Sequence, residues 1–291
     1  MIGVTAQATG TLLEQVLVAL QRAPMTGSAI CNDVVGVPNA PRAVADRIAL
    51  ALLGADPRVR QLADGRWGLV AEVQDSPTLD ACTFAVVDVE TTGMRAWGAD
   101  RITEIAVAVV QGGRRELVFE SLVNPGRPVP AMIAAMTGIT DAMVRRAPAF
   151  AQVADDVLAA LGGRVFVAHN ARFDWGFVNA ELRRARDVTL NGPMLCTVRL
   201  ARRLVQDVRS CSLDNLSRHF GLANDARHRA GGDALATGEL LHRLLDLARG
   251  EGARTLQDLE AIATRRAPPR PRERPAMPSA PSMSAVPEGP A

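Results

Sequence analysis

Apolar and polar positions follow two different rhythms along this chain. In LLEQVLVALQRAP (12–24) the apolar residues fall at helical spacing and stop at Pro24. Gly27–Val35 predicts a short second helix. Asn39 predicts the cap of a third, with Pro41 in its first turn and Val44, Ile48 and Leu52 on one stripe. Two short strands then flank Ala63-Asp64-Gly65, a hairpin signal. From Phe84 the rhythm changes. Residues 84–90, RITEIAVAVV (101–110) and RRELVFESLV (114–123), the last two joined across Gly112-Gly113, predict three antiparallel strands. Helical and loop segments run to Leu161, followed by a strand in RVFVAH (164–169) and a helix from Ala171 to Arg186. A short strand near Met194 and helices near 197–206, 212–220 and 234–249 complete the pattern. Hairpins first and crossovers afterwards predict an α/β fold with helices on the faces of a mixed sheet.

These rhythms divide the chain. Residues 1–10 are expected to be a flexible N-terminus, 11–73 a small unit of three helices and a hairpin, and 74–81 a linker around Asp75-Ser76-Pro77. A larger domain spans 82–249, and GARTLQDLEAIA predicts one more helix within 250–266. The last 25 residues, 267–291, contain eight Pro among Ser and Ala, a composition that cannot form a core and predicts disorder. The small unit, ending in Arg66-Trp67-Gly68-Leu69, resembles a winged-helix module. Such modules serve both DNA binding and protein docking, and no basic run here marks a recognition helix.

Composition changes this picture little. The 48% apolar fraction supplies a core, and the 3% aromatic content, with no Tyr, makes it aliphatic. All 33 basic residues are Arg, and the net charge of +2 does not by itself indicate nucleic acid. Between Glu181 and Ser210 seven Arg face three acids, a pattern a solvated helix face also produces. Cys31, Cys82, Cys196 and Cys211 are scattered, which points away from a zinc site or a disulfide framework and fits a reducing, cytoplasmic setting. No apolar run approaches the ~18 residues of a spanning helix, and no secretory signal opens the chain, so no membrane partner is expected.

Three places set acids against an apolar pattern. In FAVVDVETTGM (84–94), Asp88 and Glu90 lie two apart on a strand and must share a face, where two unpaired carboxylates repel. In AHNARFDWGFV, Asp174 lies three residues before Phe177, at the edge of the inward stripe. In HRAGGDALATGELLHRLL, His228 stands five residues ahead of Asp233, which opens an amphipathic helix. Taken singly, Asp174 reads as a surface acid and Asp233 as an N-cap. His219 and His242 have no acid placed to match and are assigned to structure.

Taken together, D-x-E-T-T-G, H-N-x-x-F-D and H-x-x-x-x-D, in that order, resemble the DEDDh family of 3′–5′ exonucleases. The likeness is to its branch of DNA polymerase III epsilon-subunit-like proofreading enzymes. It covers roughly 82–248, including NPGRPVPAMIAAMTGITDAMV and CSLDNLSRHFGL. The resemblance implies a ribonuclease-H-like mixed sheet, three antiparallel strands with parallel additions. It also implies a hydrolase using two divalent cations, Mg²⁺ with Mn²⁺ as substitute, held about 4 Å apart for an in-line displacement. By the same analogy Asp88 would bridge both ions, Glu90 and Asp233 would complete the tighter site, and Asp174 would act on the second ion through water. His228 would take the proton from the attacking water. Thr91, Thr92 and Gly93, with Thr137, Gly138 and Ile139, would line the pocket for the terminal nucleotide. His169, Asn170 and Phe173 would support it. Gly231-Gly232 replaces the bulky apolar residue usual between His and Asp, which predicts a loosened helix start and a more mobile His228. The expected substrate is a single-stranded or frayed 3′ end, DNA ahead of RNA, with a DNA polymerase or clamp as protein partner. The motifs leave open an exoribonuclease of the same fold. They also leave open an adaptor role for the N-terminal unit and tail.

Overall fold

A computed structural model describes residues 3–8, 11–21, 23–56, 58–70, 76–223 and 227–267. The expected tail, 267–291, lies outside these residues except for Ala267. In the N-terminal part, β1 (Thr5–Ala8) precedes α1 (Leu12–Leu20), α2 (Gly27–Ile30), a π-helical turn at Cys31–Val35, α3 (Arg42–Leu53), β2 (Val59–Gln61) and β3 (Trp67–Leu69). Thr11 and Thr26 cap α1 and α2 through their side chains. The three-helix-and-hairpin order matches the expectation, and Met25 adds a bridge to Trp67. Val16, Leu20, Ile30, Ala49, Leu53 and Trp67 share a separate small core. Asn39 is not a cap: it sits in a turn at φ 61°, and α3 starts one residue after Pro41. A proline just before a helix has no N–H to leave unpaired there, which makes it a natural boundary.

Residues 3–8 depart from the flexible N-terminus expected over 1–10. β1 pairs antiparallel with β8 (Val188–Asn191), from Thr5↔Asn191 to Ala8↔Val188. Val4 is buried, exchanging backbone hydrogen bonds with Arg164 and Gly163. The segment looked flexible because four residues of weak polarity carry no period of their own; the pairing partner lies some 180 residues away. Nor is 76–81 a loose linker. Leu79 is buried and its N–H bonds Arg254, while Pro77 and Ser76 accept from Leu256 and Gln257.

The main domain continues as β4 (Phe84–Thr91), β5 (Ile102–Gln111), β6 (Arg114–Leu122), α4 (Ala131–Thr137), α5 (Asp141–Val144), α6 (Phe150–Leu161), β7 (Val165–Ala168) and α7 (Arg172–Arg186). After β8 come β9 (Met194–Cys196), α8 (Thr197–Leu204), α9 (Leu213–Phe220), α10 (Ala230–Gly250) and α11 (Leu256–Thr264). The sheet order is β6-β5-β4-β7-β9. The first three strands run antiparallel, and β7 and β9 are parallel additions. This is the predicted mixed α/β sheet. α10 packs on one face, where Phe84, Val86, Ala106, Ala108, Leu240, Leu241 and Leu244 meet; each buried Leu contributes about 1.5–3 kcal/mol. α6 and α7 cover the other face with Phe150, Val157, Phe177 and Leu182 against Ala85, Val87 and Ile105. α11 forms as expected, capped by Thr255, and packs on α8 and β9.

α10 begins four residues earlier than its apolar stripe suggested, so Asp233 sits within its first turn and Gly231-Gly232 are helical. The glycines therefore do not break the helix start. Gly231 lies so close to the Glu120 carboxylate on β6 that a side chain there would displace it. No helix among the described residues is long and apolar enough to cross a membrane.

Candidate active site

The site forms where the sheet opens. β4 pairs with β7 only over Phe84–Val86, against Val165–Val167, so the β4 edge beyond Val86 lacks a parallel neighbour. Side-chain alternation puts Asp88 and Glu90 on the same face as Phe84 and Val86, the face that α10 covers. Glu104, paired with Glu90 across β4 and β5, carries a third carboxylate onto that face. Asp233 arrives from the first turn of α10, where an acid suits the positive end of the helix dipole. Asp174 arrives from the first turn of α7 and takes the free edge: its Oδ1 accepts the Val89 N–H at 3.2 Å. Each acid has a local reason for its place, and together they converge.

Asp88, Glu90 and Asp233 each offer a ligand oxygen, all within 4.8 Å of one another. Such crowding is costly without a cation. Burial, then the charges of Asp174, Asp233, Glu90 and Glu104, push the Asp88 carboxyl well above its ordinary range. Burial, Asp233 and Glu104 raise Glu90 to about 7, with Arg229 opposing. Burial raises Asp174 to about 8 although two backbone N–H groups pull it down. A set of hard oxygen donors that resist ionising together fits a divalent cation, whose charge would reverse that resistance.

His228 is exposed, at φ 58°, and its N–H donates to Asp233 Oδ2 at 3.1 Å. The left-handed backbone costs a non-glycine residue about 1 kcal/mol. Its position is held from the next residue. Arg229 clamps Glu104 through Nε, at 3.1 Å from both oxygens, and through Nη2 at 2.5 Å, while the Ala230 N–H donates to Glu104 at 2.9 Å. Glu104 is 1% exposed. This pair was not anticipated. The signal was present: Glu104 interrupts the apolar run RITEIAVAVV as Asp88 interrupts its own, and Arg229 directly follows the motif histidine.

The residues expected to line a nucleotide pocket separate into groups. Thr91 and Thr92 are buried; Thr91 Oγ1 donates to Gly93 O at 2.6 Å, and Thr92 Oγ1 accepts from Arg101 N. Gly93 lies against the Asp100 carboxylate, too close for any Cβ. The same turn is tied to α7 by Arg101 on buried Glu181, at 2.5 and 2.7 Å, a second ion pair the motifs did not reveal. Arg127, ahead of α4, reaches Asp100 at 3.1 Å. Thr137 ends α4, hydrogen-bonded to Ile133 and Ile139, and Gly138 turns the chain at φ 71°. Ile139 is fully buried with Val129 and Val144, so its side chain anchors the segment and offers no surface to a ligand. Asn170 is exposed at φ 80°. His169 Nδ1 lies 2.9 Å from Thr197 Oγ1, and burial lowers its pKa to about 4, against a hydrogen bond to the Cys211 backbone. A neutral His169 is a structural tie. Phe173 packs against Phe177 with the rings tilted by 53° and their centres 4.9 Å apart.

Comparison with known proteins meets this geometry. A DNA polymerase III subunit epsilon-like protein of Rhodobacter capsulatus is 42% identical over 61% of this chain and 26% of its own length. The 3′-5′ exonuclease DinG of Bacillus subtilis is 37% identical over 62% of this chain and 19% of its own. The chain thus spans well under a third of these curated relatives. The solved complex of Exonuclease X with 5′ overhanging duplex DNA aligns with 62% of this chain and 99% of that one, at 30% identity and a TM-score of 0.49. The RNase T family model, described as Exonuclease, matches residues 85–241, just over half the chain and the whole run from Asp88 to Asp233. The convergent carboxylates thus lie within the matched segment, and this chain belongs to the RNase T-type exonuclease family.

Proposed function

We propose that the chain is a 3′–5′ exonuclease that removes nucleoside monophosphates from DNA 3′ ends, in proofreading or repair. The observation that carries this reading is the gathering of Asp88, Glu90 and Asp233 within 4.8 Å, with Asp174 bonded to the strand between the first two. Asp88, Glu90 and Asp233 would hold Mg²⁺ or Mn²⁺, with Asp174 serving a second ion through water. Bound cations would supply charge stabilisation to the attacking and leaving oxygens.

The protein's own part is positioning and proton transfer. Asp233 holds the His228 backbone through one hydrogen bond, leaving the imidazole exposed to accept the proton of an attacking water. The Thr91–Gly93 turn and the Thr137–Gly138 segment would seat the terminal nucleotide, with Phe173 beside Asp174 as an apolar wall. DNA is favoured over RNA by relatives named for DNA polymerase III. A polymerase or clamp is the fitting partner, and a cytoplasmic setting fits both. The N-terminal helices and hairpin support a winged-helix-like docking module. Matched DNA and RNA oligonucleotides, labelled at the 5′ end and incubated with Mg²⁺, test the assignment. DNA should shorten from its 3′ end at least ten times faster, whereas RNA degraded faster than DNA would make the chain an exoribonuclease.

A further inference from the structure

Beside the carboxylate site lies a pocket of about 590 Å³ bounded by β9, α8 and α11. Its walls carry Arg172, Arg199, Arg202 and Arg203, with Glu260 as the one acid lining it among the described residues. Arg172 opens α7, two residues before Asp174, and Asn170 joins the pocket to the His169 segment, so the pocket borders the site at its α7 end. The far wall is α11, which lies beyond the 85–241 region matched by the family. A solvated helix face would spread its charges outward. Here Arg172, Arg199, Arg202 and Arg203 line one pocket instead, and burial, then Arg199, Arg202 and Arg265, hold Arg203 below its usual value. Arg203 is anchored by bonds to the Arg265 and Arg199 carbonyls. Among the described residues, Arg172, Arg199 and Arg202 form no ion pair with a carboxylate.

We infer that the α8–α11 pocket grips the phosphodiester backbone of the substrate strand upstream of the 3′ end. Convergent, unpaired arginines are costly in isolation and favourable against successive phosphates, whose paired non-bridging oxygens suit the planar guanidinium fork. The inference rests on the exonuclease reading, because it takes the strand in the pocket to be the one whose end is cut.

The test combines Arg199→Gln with Arg202→Gln, leaving anchored Arg203 intact, and uses Arg199→Lys/Arg202→Lys as the charge-preserving control. Binding of a fluorescent 20-nucleotide single strand is measured with Ca²⁺ across a salt series. The Gln pair should weaken binding about tenfold near 0.1 M salt. It should also flatten the slope of log K against log salt by about 1.4, roughly 0.7 per lost contact on single strands. The Lys pair should keep most of both. The ratio of kcat/KM for the 20-mer to that for a dinucleotide should fall about tenfold in the Gln pair. An unchanged affinity and slope would overturn the assignment, as would an equal loss on both lengths. Equal competition by an acidic peptide of matched charge would also overturn it, in favour of a protein ligand. Binding without any cleavage by wild type would instead remove the exonuclease reading while the pocket is still scored by its salt slope.

Discussion

Burial and mutual repulsion hold the Asp88, Glu90 and Asp174 carboxyls in an unfavourable state that a cation would relieve. Glu90 at about 7 and Asp174 at about 8 both stand above the ordinary carboxylate values near 4. In the native state they therefore hold protons that the unfolded chain has released. Stability without metal is full below about pH 4 and falls as pH rises through about 7 to 8. Thermal unfolding in EDTA should show a lower midpoint at pH 8 than at pH 5, and the rise on adding Mn²⁺ should be larger at pH 8. A midpoint that climbs from pH 5 to pH 8 in EDTA would contradict this. Asp88→Asn removes one of the crowded charges, so the metal-free midpoint at pH 8 should rise while activity falls by about 10³ or more. His228→Gln should separate the two effects. It should lose about 10²–10⁴ in rate, the usual worth of a positioned base, while keeping the metal-induced rise in midpoint. The acids that cluster here were legible in the sequence because an acid within an apolar rhythm costs several kcal/mol and stands out. What each acid touches was not, since Val89 N–H lies 85 residues from Asp174.

Elements carry the site through two ion pairs that no motif announced. Arg229 on Glu104 binds the start of α10 to β5, and Arg101 on Glu181 binds the turn after β4 to α7. In each, the carboxylate is 1% exposed and the arginine reaches it from the surface. Arg229→Gln should destabilise by about 2 kcal/mol, less than the ~3–5 of a fully buried pair because the Arg229 side chain is 41% exposed. The rate should fall with it, since His228 is the neighbouring residue. Adding Glu104→Gln should restore much of the midpoint, because the stranded charge is then gone. Failure of the second substitution to recover stability would show that the clamp is not electrostatic. Strand and helix order was readable from periodicity, yet α10 was placed four residues late. Ala230, Gly231 and Gly232 carry no apolar stripe, and the helix there is fixed by tertiary contact: Glu104 takes the Ala230 N–H. Propensity misled where packing decided.

At the scale of the whole molecule, the N-terminus is not an appendage to the catalytic domain. β1 crosses onto β8, and Val4 is 1% exposed in the same core as Phe166 and Leu182. Val4→Asp would bury an unpaired charge, costing about 3 kcal/mol or more and lowering the melting midpoint by roughly 6–12 °C. A midpoint within 2 °C of wild type would show that β1 contributes nothing. No local pattern could have shown this pairing, because Thr5–Ala8 is too short to have a period and its partner follows α7. One time course tests whether Asp88 and its companions cut DNA from the 3′ end. Single-stranded DNA labelled at its 5′ end is incubated with Mg²⁺ and either wild type or Asp88→Ala. Wild type should yield a ladder shortening from the 3′ end, at least 10³ times faster than the variant. An intact strand with wild type, or an equal ladder from Asp88→Ala, would contradict the account.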